Sequence, residues 1–276
     1  MVSRTHPIYR FRFASIVLAL LVTPLNTRTE ATTAAVTSAE SNSPVTAETL
    51  FSRLVEHDRS RADSLLRYSA NRRYEVRNEE GKLRSETEVF LQYQSPDKKE
   101  FKILSQTGPN MLQNIIRSLL KLEEDTASGR AGYDNSITPD NYTFELAGKD
   151  IVSGYNCFVV NAHAKRNDRC LLEGKIWIED KEYAIVKIVG RPAKRPSFWI
   201  KSADFIRQYQ KIGAAWLPLR DETTSQVRLF GKNVLTIDHG NYRLAMRQQS
   251  TASVGQDQVS SLDWHELWRF PNFHSL

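Results

Sequence analysis

The spacing of apolar residues along the chain changes period twice. From Thr46, Leu50, Phe51, Leu54 and Val55 recur at intervals of three and four with Glu48 in the first turn, which predicts a helix. From Tyr68 the interval becomes two. RRYEVR (72–77), ETEVFLQYQ (86–94) and EFKILSQ (100–106) read as consecutive strands, separated by Glu80-Gly81-Lys82 and Pro96-Asp97-Lys98, residue types that turns favour. After Pro109 the helical interval returns. Met111, Leu112, Ile115, Ile116, Leu119, Leu120 and Leu122 form a broad stripe, which requires an apolar surface beneath it, either a sheet core or a cavity that the helix covers. Residues 125–140 read as a loop.

Strands then resume: YTFELAGKDIV, GYNCFVVNAHAK, LLEGKIWIED, YAIVKIVGR, SFWIKSADFIRQYQ, AWLPLRDETTSQVRLF and VLTIDHGNYRL. The intervening turns contain Gly, Asp, Asn or Pro and are short enough to join antiparallel neighbours. About ten strands, with one helix before them and one among them, make an α+β domain dominated by a single antiparallel sheet.

Alternation assigns the faces. Val89, Leu91 and Tyr93 share one face opposite Glu86, Glu88 and Gln92, and Phe101 with Ile103 opposes Glu100 and Lys102. Phe158, Val160 and Ala162 fall together, as do Ile176 with Ile178, Ala184 with Val186 and Ile188, and Phe198 with Ile200. The other face carries Trp177, Ile185, Val189 and Trp199 between Lys175, Lys187 and Lys201, as on the outside of a strongly curved sheet where Lys stems cover rings. After Ser202 and Ala203 the phase shifts, and a bulge would return Phe205 and Tyr209 to the inside.

The ends differ in composition. Arg4, Arg10 and Arg12 precede the apolar run Ala14–Val22, which is shorter than the roughly 20 residues a membrane span needs, so residues 1–31 read as an export signal cleaved near Ala31 or Ala35. Residues 32–44 are small and polar and read as a linker. Residues 45–245 are the folded domain, and residues 246–276 are a polar tail with a short aromatic segment around Trp264 and Trp268. Thirty-eight Lys and Arg against 32 Asp and Glu give a formal charge of +6. Cleavage after Ala31 would remove Arg4, Arg10, Arg12, Arg28 and Glu30, leaving 34 against 31, or +3. The basic residues are scattered, and the densest cluster, Arg191–Arg195, lies at a Pro-bounded turn, so nucleic acid is not an expected partner.

Candidate chemistry is sparse. There is no glycine-rich phosphate loop, Gly-x-Ser-x-Gly, His-Glu-x-x-His or CxxC. Asp238 and His239 are adjacent in a strand and point to opposite faces, so they cannot orient each other, and His239 reads as a structural or solvated residue. His163 falls on the polar side of its strand, and Glu86 and Glu88 read as an exposed ladder. Cys157 and Cys170 lie in two arms of a hairpin at least about five rungs out of register, roughly 17 Å, against the ~7 Å limit for bonded cysteines. Two free thiols are expected, with no disulfide, no metal site, no cofactor and no enzymatic activity.

The strands GYNCFVVNAHAK, EGKIWIEDKEYAIVKIVGRPAKRPSFWIKSADFIRQYQKIGAAWLP and RLFGKNVLTIDHGNYRL, with the helix and three strands from Val45 to Gln106, resemble the outer-membrane lipoprotein-sorting-protein family of LolA/LolB-like periplasmic carriers and their RseB/MucB-like relatives. The resemblance implies a curved antiparallel half-barrel of about ten strands with helices covering its concave face. It further implies a periplasmic carrier that encloses lipid or lipoprotein acyl chains, with transient membrane contact. On that reading the cavity lining would be Val89, Leu91, Tyr93, Phe101, Ile103, Phe158, Val160, Ile176, Ile178, Phe198 and Ile200 on the sheet, and Ile115, Ile116 and Leu119 on the helix. Some of these would be plain core. The rival reading is a protein-interaction or stress-sensing module of RseB/MucB type with an envelope protein partner.

Overall fold

The computed structural model describes residues 46–130, 136–198, 200–228 and 231–247. The expected signal and linker lie outside the described residues, as does the tail from residue 248 onward, while Met246, expected to open the tail, closes the last strand.

Helix α1 spans Ala47–Ser64. Thr46 caps it by accepting from the Thr49 N–H at 3.3 Å, while the Thr49 hydroxyl oxygen accepts from the Thr46 N–H at 3.0 Å, so the first turn satisfies its own free donors. Strands β1 (Leu65–Asn78), β2 (Leu83–Gln94) and β3 (Lys98–Thr107) follow as the expected meander, with β1 starting directly at the end of α1. Helix α2 (Asn110–Ala127) then crosses back over β2 and β3. The remaining strands are β4 (Tyr142–Val152), β5 (Tyr155–Ala164), β6 (Leu172–Glu179), β7 (Ile185–Pro192), β8 (Ile200–Ile212), β9 (Ala215–Val227) and β10 (Gly231–Met246).

All ten strands belong to one antiparallel sheet, in the order β3-β2-β1-β10-β9-β8-β7-β6-β5-β4. The two meanders are therefore joined where β10 pairs with β1, and β3 and β4 remain as edges. The sheet is an open half-barrel. Close packing between β6 and β7 assists its coiling: Gly174 lies opposite Gly190, and a Cβ on Gly174 would stand 2.1 Å from the Val189 carbonyl oxygen.

Two apolar cores lie on the concave side. Leu50, Phe51 and Leu54 of α1 enter the larger one, with Phe158, Val160, Ile176, Ile178 and Ile188 from β5 to β7. Ile116, Leu119 and Leu120 of α2 enter the smaller, with Tyr74, Val89 and Ile237 from β1, β2 and β10. Each helix thus covers one side of the sheet, and the central strands between them are left for a cavity.

Two sequence expectations about faces change. Ile185, assigned to the outer face, is buried and inward, because the β6–β7 register slips between Trp177 and Ile178 and turns it in. Phe198, expected inside with Ile200, is 71% exposed. β8 begins only at Ile200, so the alternation cannot be carried back to Phe198, which stands in a turn with the Arg228 guanidinium 4.4 Å from its ring centre. The expected phase shift beyond it is present: the β8–β9 register slips between Ile200 and Ser202, after which Ala203, Phe205, Arg207 and Tyr209 share the inner face. Among the described residues no helix is long and apolar enough to cross a membrane.

Candidate functional site

A cavity of about 460 Å³ opens between the C-terminal halves of α1 and α2 and the middle of the sheet. Its apolar walls come from Leu119 and Leu122 of α2, Ile185, Trp216, Leu217 and Ile237. Of the residues expected to line it, Tyr93 and Leu119 do so. Val89, Phe101, Ile103, Ile115 and Ile116 pack in the core under α2, and Phe158, Val160, Ile176 and Ile178 pack in the core under α1. Leu91 and Ile200 are buried away from the cavity, and Phe198 is outside it. The physical reason is shared: α1 and α2 press directly on the most apolar strand positions, so those positions become core and the unfilled space falls between the helices.

The floor of this space is charged, a feature that reading the apolar pattern missed. Arg72 on β1 lies in register with His239 on β10, and Arg207 on β8 lies in register with Asp221 on β9. Because β1, β10, β9 and β8 are neighbours in that order, these four side chains form a polar row across the centre of the concave face. α2 lowers Glu123 onto one end of the row. Its carboxylate accepts from the Arg72 Nη1 and Nη2 at 2.7 and 3.0 Å, and from Lys99 Nζ of β3 at 2.8 Å. Arg207 donates to both carboxylate oxygens of Asp221, from Nη2 at 3.0 Å and also from Nε, and His239 Nε2 stands 3.0 Å from the Asp221 Oδ2.

Charge states follow from these contacts. Burial alone would raise the Asp221 carboxyl, but Arg207 and His239 outweigh it and bring the pKa down to about 2. Glu123 follows the same logic: burial opposes ionisation, and Arg72 with Lys99 reverse it, holding the group well below its ordinary value. Burial, followed by the Arg72 cation, lowers the His239 pKa against the pull of Asp221. Since an ionised Asp221 can only accept, the neutral imidazole must carry its proton on Nε2, leaving Nδ1 as an acceptor. Burial raises the Tyr74 phenol to about 12, although Arg72 donates to its oxygen at 3.3 Å.

The signal that would have found the row is its parity. Arg72 shares a face with Ala70, Tyr74 and Val76, Arg207 with Phe205 and Tyr209, and His239 with Ile237. A charge at an inward position on several strands announces a buried network. Asp238 does point away from His239, as adjacency requires, and pairs outside with Arg220 at 2.7 Å. His163 is paired with Glu173 at 3.1 Å on the outer surface, and Arg73 bridges Glu86 and Glu88. Cys157 faces Glu179 across β5 and β6 while Cys170 precedes β6, and both thiols are buried and free. Among the described residues no His, Cys, Asp and Glu group is arranged to hold a metal ion.

Solved structures of similar course come from bacterial proteins. One is a DUF1329 family protein from Desulfovibrio piger, at 13% identity over 71% of this chain and 91% of its own, with a TM-score of 0.38. A LolA superfamily protein from Nitrosomonas europaea matches at 10% identity over 73% and 94%, with a TM-score of 0.36. A putative outer membrane lipoprotein-sorting protein domain from Vibrio parahaemolyticus matches at 11% identity over 71% and 93%, with a TM-score of 0.37. The latter two carry the family description that the strand series resembles. No protein-family model and no curated protein matches the chain. Likenesses this distant leave function to be argued from the cavity itself.

Proposed function

We propose that this protein is an exported, non-enzymatic binding protein or carrier of the periplasm that holds an acyl chain in the cavity between the sheet and its two helices. The observation that supports this most is the cavity's place and size: 460 Å³ between two separately packed cores, roofed by α1 and α2. This lies within the roughly 300–1,000 Å³ that small-molecule sites occupy. Space for on the order of fifteen water-sized groups is enough for one acyl chain. About twelve buried methylenes at ~0.8 kcal/mol each contribute on the order of 10 kcal/mol, against association costs of at least about 4 kcal/mol.

The alternative of an envelope protein partner has the open edge of β4 in its favour, where Ile151 is exposed. Glu145, Lys149 and Asp150 on the same strand are charges of the kind that discourage edge pairing, so the binding reading is preferred. Mild extraction followed by lipid mass spectrometry, with titration of the emptied protein by a fluorescent fatty acid, tests it. Saturable binding with one site is the expected result. Lipid-free preparations that also fail to bind the probe would sink the proposal.

A further inference from the structure

The polar row is more than a structural network, because two of its buried polar atoms lack partners. Its charges are matched: Arg61, Arg72, Lys99 and Arg207 line the cavity with Asp58, Asp97, Glu123 and Asp221. Hydrogen bonding leaves the gap. Arg72 is 5% exposed and its Nε–H has no partner among the described residues; His239 is 6% exposed and its Nδ1 has none either. The two residues are direct cross-strand neighbours on the same face, so a donor and an acceptor stand side by side at the floor of the cavity. Leaving such groups unsatisfied in a buried site is costly, which is the usual sign of a missing polar group.

We propose that this floor receives the carboxyl head of a single-chain fatty acid, with Arg72 Nε–H donating to one oxygen and one proton shared between the other oxygen and His239 Nδ1. This rests on the acyl-binding reading above and specifies its ligand. A carboxylate set against a bare Nδ1 would oppose two lone pairs, so the complex must hold a proton that neither free partner carries at pH 8. That proton comes from solvent. The imidazole is neutral beforehand because burial and the Arg72 guanidinium disfavour its charged form. Lining the cavity with it are Tyr68, Arg72 and Tyr74 from β1, Asp221 from β9, Arg207 and Tyr209 from β8, Glu123 from α2, Lys99 from β3, Asp58 and Arg61 from α1, and Asp97 from the β2–β3 turn, with Arg72, Asp221 and Arg207 acting on it directly.

Titration calorimetry of the full chain at pH 8 with dodecanoic acid, its methyl ester and dodecanol, each in buffers of different ionisation enthalpy, tests this. The acid is expected to bind about ten- to a hundredfold more tightly than the ester. It should take up about one proton per site, whereas the ester and the alcohol take up none. His239→Gln should abolish the uptake. Equal affinity of all three ligands without proton uptake would overturn the carboxyl site while leaving acyl binding intact, and dodecyl phosphate binding more tightly than the acid would overturn the choice of carboxyl. Failure of every ligand to bind would instead remove the acyl-binding reading itself.

Discussion

Glu123→Ala should release α2 from the sheet at a cost that the ion cluster sets. The carboxylate holds Arg72 in a two-pronged contact and Lys99 in a third, and no other carboxylate among the described residues pairs with Arg72. Removing one member of a buried pair costs about 3–5 kcal/mol, because the remaining charge is left desolvated. Water reaches the Lys99 side, where both side chains retain some exposure, so that contact adds under about 1 kcal/mol. A loss of about 4 kcal/mol is expected. With a urea m-value of roughly 2 kcal/mol/M, the unfolding midpoint followed by far-UV circular dichroism should fall by about 2 M at unchanged slope. The decisive control is Arg72→Met with Glu123→Leu, which removes both charges and fills the space with apolar atoms. Such replacements are often neutral or stabilising, so the double variant should recover to within about 1 kcal/mol of the parent. A single variant that loses under ~1 kcal/mol, or a double variant no more stable than the single, refutes the reasoning.

Acid should destabilise the protein through Asp221. Its folded pKa of about 2 lies below the unfolded value near 3.8, so its contribution of about 2 kcal/mol is complete above pH 4 and lost as pH falls toward 2. Asp221→Asn, less stable throughout, should lack that part of the slope in an acid titration of thermal stability. His239 acts in the same direction, its contribution fading as pH falls below about 6.5. Burial raises the Cys157 and Cys170 thiols to about 11 and about 12, so neither should react with Ellman's reagent at pH 8 until the protein is unfolded; rapid native labelling of either would contradict their placement. Phe51→Ala, emptying the point where α1 enters the larger core, should cost about 3–5 kcal/mol by urea unfolding, and a loss under ~1 kcal/mol would mean that α1 is not seated there. Gly174→Ala should lower the melting temperature, since its Cβ would meet the Val189 carbonyl oxygen at 2.1 Å; an unchanged value would show that β6 and β7 are farther apart.

Much of this architecture is local, and local chemistry is legible in sequence. The stretch YTFELAGKDIV coincides with β4 from end to end, and Thr46 with its apolar followers marks the start of α1 correctly. Period-two and helical spacing act over a few residues, so they need no knowledge of the rest of the chain. Legibility fails first at bulges. One extra residue reverses the face of everything beyond it, which is why Ile185 turned inward, and alternation has no meaning before a strand begins, which is why Phe198 is outside.

By itself the sequence determined the elements, their antiparallel order and the presence of an inner apolar face. Only the tertiary structure decided which inner residues are core and which border empty space, because that depends on where α1 and α2 rest on the curved sheet. It also decided the neighbours of Arg72: its partner Glu123 lies 51 positions away on α2, and His239, opposite it in register, belongs to the last strand. His239 meets Arg72 because β10 returns to pair with β1, and Glu123 because α2 crosses back over β2 and β3; contacts made across the chain in this way leave no periodic trace in the residues that make them.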